Sequence, residues 1–148
     1  VARGGLVRFW DTSALLPLVV AEPETRRVER WLRDDPIVAV WTLTRVELLS
    51  ALARRRRKEP KASRRLLQAR REILDAWPHW TEITALDVVR RHAERLVESH
   101  PLRAADALQL GAAIVAADEV PSSLTVVTLD ARQAEAAERE GFRVLGPA

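Results

Sequence analysis

Leu6-Val7-Arg8-Phe9-Trp10-Asp11-Thr12-Ser13-Ala14-Leu15 decides how the chain is read. Leu6 to Trp10 is a short run suited to a β-strand, and Asp11 ends it. Thr12 or Ser13 then serves as the cap of a helix that continues through the apolar residues beyond. Pro17 is tolerated there if it falls near the first turn, where a missing N–H costs least. A strand that passes directly into a helix is the first half of a βαβ unit, so the rest of the chain should repeat that alternation.

It does. Pro23-Glu24 opens a second helix, with Val28, Trp31 and Leu32 at helical spacing on one face. Ile37-Val38-Ala39-Val40 is a continuous apolar run of strand length, as expected of a strand covered on both faces. Helices are expected from Thr42 to Lys58 before Pro60, and from Ser63 to Ala76 before Trp77-Pro78. A third strand is expected from Trp80 to Ile83, then helices from Leu86 to Ser99 and from Leu102 to Ala117. Leu124 to Thr128 reads as a fourth strand. Ala131 to Glu140 reads as a helix with Gly141 past its end, and Phe142 to Leu145 as a last strand. The expectation is a single α/β domain over residues 1–148, a parallel sheet with helices on both faces and neither repeat nor linker.

The 148 residues, 47% of them apolar, suffice for one packed core. The absence of Cys excludes disulfides, thiolate zinc sites and a cysteine nucleophile. The longest apolar run, Ala14 to Ala21, has eight residues including Pro17, against the roughly 20 needed to cross a bilayer. Val1-Ala2-Arg3-Gly4-Gly5 carries no signal-peptide pattern, and the expected location is the cytoplasm. The net charge of +3 conceals an asymmetry: residues 54–71 hold ten Arg or Lys and only Glu59 as an acid, while the remainder is net negative. A basic segment on an acidic body suits either a polyanion or simple solvation.

Four carboxylates stand out. In an open parallel sheet, ligands bind beyond the carboxyl ends of the strands, where Asp11 and Asp130 fall. Each also fits a helix cap, and Asp130-Ala131-Arg132-Gln133 matches a capping box. Glu47 shares its helix face with the modest side chains of Leu43, Thr44, Ser50 and Ala51, amid bulkier apolar residues. A carboxylate buried there needs a metal ion or a basic partner. Asp106 interrupts an Ala- and Leu-rich helix near its start, where the dipole favours an anion and Arg103 lies one turn earlier. Hard cations such as Mg²⁺ take oxygen ligands, and phosphodiester hydrolysis uses such cations, so the four acids suit that chemistry if the fold brings them together, which spacing along the chain does not prove. Arg54 lies two turns beyond Glu47, about 10 Å along the helix, and with Arg57 is a candidate for holding nucleic acid.

The order of these segments resembles the PIN-domain ribonucleases, in particular the VapC-type toxins of VapBC toxin–antitoxin pairs. Phe9-Trp10-Asp11-Thr12-Ser13-Ala14-Leu15 is similar to the first motif of that family and Thr44-Arg45-Val46-Glu47-Leu48 to the second. Leu102-Arg103-Ala104-Ala105-Asp106-Ala107-Leu108-Gln109-Leu110 resembles the third, the most specific of the set, and Val127-Thr128-Leu129-Asp130 the fourth. The resemblance spans essentially the whole chain. The basic helical insert at 54–71 is less typical.

The resemblance implies a five-stranded parallel sheet and a metal-dependent endoribonuclease. Asp11, Glu47, Asp106 and Asp130 would hold one or two Mg²⁺ or Mn²⁺ ions, supported by Thr12, Ser13 and Thr128. RNA would be cut to leave a 5′-phosphate and a 3′-hydroxyl. It further implies a homodimer, and a VapB-like antitoxin that presents a basic side chain to the acids. Two rivals are weighed. A phosphatase of the haloacid dehalogenase type wants a second Asp two residues after the first, where this chain has Ser13. A degenerate PIN domain that only binds RNA or protein would not need all four acids. His79, His92 and His100 show no metal-ligand spacing.

Overall fold

The computed structural model describes residues 7–148, so Leu6 and the opening Val1 to Gly5 lie outside the described residues. Among the described residues five parallel strands form one sheet: β1 (Arg8–Trp10), β2 (Val38–Trp41), β3 (Thr81–Ile83), β4 (Thr125–Val127) and β5 (Arg143–Leu145). Their order is β3-β2-β1-β4-β5, with Arg8 opposite both Val38 and Thr125. The described residues also form seven α-helices, α1 (Thr12–Val19), α2 (Thr25–Asp34), α3 (Thr44–Lys58), α4 (Ser63–Ala76), α5 (Leu86–Ser99), α6 (Ala104–Ala116) and α7 (Ala131–Arg139). The α/β class, the five strands and the parallel pairing follow the reading of the sequence.

Side chains alternate across the strands, so the sheet feeds two cores. Phe9, Ala39, Trp41 and Val126 meet Val89, Leu96, Leu110 and Phe142 in the layer of α5 to α7. Trp10, Val38, Val40 and Val127 meet Leu15, Val28, Leu48, Leu66 and Ile73 in the layer of α1 to α4. The two layers follow from the strand order. From β1 the chain steps outward to β2 and β3, returns to β4 on the other side of β1, and steps outward again to β5. Right-handed crossovers in opposite directions deposit their helices on opposite faces. β1 is therefore central, and the direction of winding reverses between β1 and β4.

Three local expectations are corrected. The N-cap of α1 is Asp11, not Thr12 or Ser13, which places Pro17 inside the helix beyond its first turn. The helix ends soon afterwards, and the Thr25 hydroxyl donates to the Pro17 carbonyl at 2.8 Å. β3 begins at Thr81 rather than Trp80, because a 3₁₀ turn over Trp77–His79 precedes it and Trp80 packs against Trp77 with ring centroids 5.8 Å apart. α6 starts at Ala104, and so Asp106 lies in its first turn. No helix among the described residues is long and apolar enough to cross a membrane.

Gly111 lets α5 and α6 approach: a Cβ there would lie 2.8 Å from the Val89 carbonyl oxygen. Gly111→Ala raises helix propensity by roughly 1 kcal/mol, but the clash is with backbone and should outweigh it. The expected net loss is about 1–3 kcal/mol, read as a lower denaturation midpoint. A variant as stable as the parent would show that the helix pair can separate without cost.

Candidate active site at the carboxyl edge of the sheet

Helices in βαβ units run back against the strands, so the N-termini of the helices that follow strands gather at the carboxyl edge of the sheet. Three acids stand on such helices, Asp11 at the N-cap of α1, Glu47 in the first turn of α3 and Asp130 at the N-cap of α7, while Asp106 lies in the first turn of α6, which follows α5 rather than a strand. All four line one groove of about 490 Å³ with Thr12, Ser13, Ser50 and Arg54. The groove lies over the point where the winding reverses, the usual place for a ligand in an open α/β sheet.

The capping explanation separates the two N-cap aspartates. Asp130 caps α7, its Oδ1 accepting from the backbone N–H groups of Arg132 and Gln133 at 2.8 and 3.1 Å. Gln133 does not complete a capping box; it donates instead to the backbone carbonyl of Asp106 at 2.9 Å, tying α7 to α6. Asp11 makes no capping bond. Its Oδ2 accepts from Thr128 at 2.6 Å and from Ser13 at 2.8 Å. Those hydroxyls are themselves oriented, since Ser13 accepts the Leu129 N–H at 2.9 Å and Thr128 accepts the Asp130 N–H at 3.1 Å. Asp11 is only 5% exposed, and burial drives its pKa from 3.8 to about 6 despite the two hydroxyls, with the charges of Asp106 and Glu47 adding to the rise.

Glu47 is half-buried and held from two sides. Thr12 donates to its Oε1 at 3.0 Å and the Gln109 amide donates to the same oxygen at 2.7 Å. Gln109 is 1% exposed, and its Nε2 also lies 2.9 Å from the Thr12 hydroxyl and 2.7 Å from that of Thr44, so its two hydrogens are shared among three acceptors and one amide links α1, α3 and α6 behind the site. Burial raises the Glu47 pKa against these hydrogen bonds, and Asp106 adds to the rise. Burial also raises Asp106, reinforced by the charge of Asp130 and moderated by Arg103 and Arg132. The pairing of Asp106 with Arg103 allowed by the sequence is not formed as an ion pair.

Thr12, Ser13 and Thr128 thus divide their support, Thr12 serving Glu47 and the others Asp11. Gln109, Thr44 and Gln133 do not stand out as site residues in the sequence. The sign available for Gln109 is the one that marks Asp106, a polar residue inside an Ala- and Leu-rich helix. Arg54 reaches the groove, with its Nη1 donating to Ser50 at 2.8 Å. Arg57 is exposed and does not line it. Arg55 pairs with Glu22, while Lys58, Lys61 and Arg65 surround a separate hollow. His92 and His100 bond Glu119 and Glu140.

Among the described residues no three acidic or histidine side chains converge tightly enough to grip a cation as they stand. The donor set itself is all oxygen, carboxylates backed by hydroxyls, which suits a hard divalent ion and not a soft one. Three of the four acids have raised pKa values, so a positive charge in the groove would be stabilising.

A family model described as PIN domain matches residues 8–139. Two relatives from Mycobacterium tuberculosis, Ribonuclease VapC45 of strain CDC 1551 / Oshkosh and Ribonuclease VapC49 of strain ATCC 25618 / H37Rv, are each 28% identical over 137 residues, 92% of this chain and of theirs. The crystal structure of PAE2754 from Pyrobaculum aerophilum matches with a TM-score of 0.57 at 24% identity, covering 96% of this chain and 87% of that one. That last likeness is one of fold.

The raised Asp11 pKa has a sign that can be tested. The folded state holds the Asp11 proton more tightly than the unfolded chain does. The metal-free protein therefore gains stability as pH falls from about 6 towards 3.8. Asp11→Asn removes the ionisation, so the variant should be about 1–3 kcal/mol more stable than the parent at pH 7.5. The two should converge near pH 4 when denaturation is followed in a chelator. A variant less stable than the parent at pH 7.5 would mean that the carboxylate serves the fold.

Proposed function

The chain belongs to the PIN domain family, and from that footing we propose that it is the ribonuclease toxin of a type II toxin–antitoxin pair. The reaction is Mg²⁺- or Mn²⁺-dependent hydrolysis of RNA phosphodiester bonds within the strand, leaving a 5′-phosphate and a 3′-hydroxyl. The observation that carries this reading is the gathering of Asp11, Glu47, Asp106 and Asp130 around one groove, with Asp11 buried and its side chain not used to cap α1. The names of the two mycobacterial relatives support it.

Asp11, Glu47, Asp106 and Asp130 would hold the cation, whose charge would offset the burial and mutual repulsion of the acids. Bound there, it would supply Lewis acidity towards the phosphoryl group and lower the pKa of water. The protein's own contribution is position. Thr128 and Ser13 fix the Asp11 carboxylate, and Gln109 and Thr12 fix Glu47, so neither must reorganise as charge develops. Arg54, at the wall of the groove, would hold a phosphate of the bound strand. A VapB-like antitoxin with a basic side chain for the acids, a homodimeric assembly and a cytoplasmic setting complete the proposal.

Cleavage of single-stranded RNA by the purified protein should need Mg²⁺ or Mn²⁺ and stop in chelator. Gln109→Leu should lower kcat by about 10–100-fold, as loss of a metal site's outer partners does, and Asp11→Asn or Asp106→Asn by more, with folding retained. An unaltered protein that binds RNA but never cuts it would instead be an RNA-binding module.

A further inference from the structure

The acids do not close the groove. A second hollow, of about 610 Å³, shares Glu47, Asp106 and Asp130 with the first and is completed by Arg103 and Arg132. Arg54 lines the first hollow and not the second. Glu47, Asp106 and Asp130 therefore lie where the two hollows meet, with arginine lining each.

Arg103 is the N-cap residue of α6 and Arg132 the second residue of α7, so both project from helix N-termini at the carboxyl edge. Both are exposed. Among the described residues neither guanidinium makes an ion pair or a hydrogen bond, although three carboxylates line the same hollow. Arg55, Arg95 and Arg139, in contrast, are closed onto Glu22, Glu140 and Glu135. A pair of arginines that served only to neutralise the acids would be expected to close on them in the same way. Their donors are open, and a planar guanidinium with free donors matches the oxygens of a phosphate better than any other side chain.

We propose that Arg103 and Arg132 form a second phosphate subsite, which holds a backbone phosphate of single-stranded RNA on the side of the acids opposite Arg54. This rests on the ribonuclease reading and deepens it. A strand anchored on both sides of the carboxylates is held taut across them, so the site takes the interior of a strand rather than its end. The partial neutralisation of Asp106 by the same two arginines is consistent with their nearness to the acids.

The test measures binding of a short labelled single-stranded RNA of mixed sequence over a range of KCl concentrations, on the full chain carrying Asp11→Asn to prevent cleavage. Adding Arg103→Gln and Arg132→Gln should weaken binding about tenfold and reduce the slope of log affinity against log salt by about 0.7 for each phosphate that is no longer neutralised. The melting temperature should move little, since neither guanidinium makes a hydrogen bond or ion pair among the described residues. An equal loss of charge at Arg30 and Arg33, exposed at the end of α2 where the chain approaches the opposite edge of the sheet, should leave the slope as it was. An unchanged slope in the Arg103/Arg132 variant overturns the subsite while the ribonuclease reading stands. Equal flattening by the α2 variant overturns it too, as an effect of net charge alone. Failure of the Asp11→Asn protein to bind RNA at any salt, with no cleavage by the unaltered chain, defeats the ribonuclease reading and the subsite together.

Discussion

Pairing of β1 with β2 on one side and β4 on the other is the constraint from which the rest of the structure follows. Parallel strands need crossovers, and crossovers of one hand must lie on opposite faces when the chain winds outward in opposite directions. That rule places α1 to α4 over one face and α5 to α7 over the other, and it leaves a crevice above β1 and β4 that neither layer covers. Every acid of the candidate site stands at the rim of that crevice because each is at, or within one turn of, a helix N-terminus.

The site works against the stability of its own scaffold. A buried carboxylate loses hydration that two hydroxyls replace only in part, and nearby acids add repulsion. Asp11 shows the balance: burial prevails over the bonds from Thr128 and Ser13, and its pKa rises to about 6. Core positions are seldom occupied by such a residue without gain elsewhere. Asp130 is the counterexample within the same groove, since it satisfies the first N–H groups of α7 and so contributes to the fold as well.

Rigidity comes from the residues behind the acids. Gln109 ties three helices through Thr12, Thr44 and Glu47, and Gln133 ties α7 to the start of α6. The donors of both amides are engaged by acceptors on other elements, so these side chains link neighbouring helices and hold the direction of Glu47. Charge is arranged more loosely. Arg54 lines the groove and Arg103 and Arg132 line the hollow beside it, all three exposed.

Local periodicity was enough to reveal the alternation of strands and helices, because apolar runs such as Val38 to Val40 and the Ala- and Leu-rich helix around Asp106 carry their burial in their own composition. The four acids were legible for the same reason: each breaks a local pattern or ends a strand. What the sequence left undecided depends on contacts between distant residues. Asp11 and Asp130 look alike as caps along the chain, and only the approach of Thr128 to Asp11, across 117 residues, separates them. Gln133 satisfies a capping pattern in sequence yet turns to α6. Arg54 and Arg57 belong to one basic run and lie one turn apart on α3, and only the first lines the groove. Composition and spacing fix which residues are unusual; the assembled sheet decides which of them meet, because the partners that set burial, hydrogen bonding and field come from other elements.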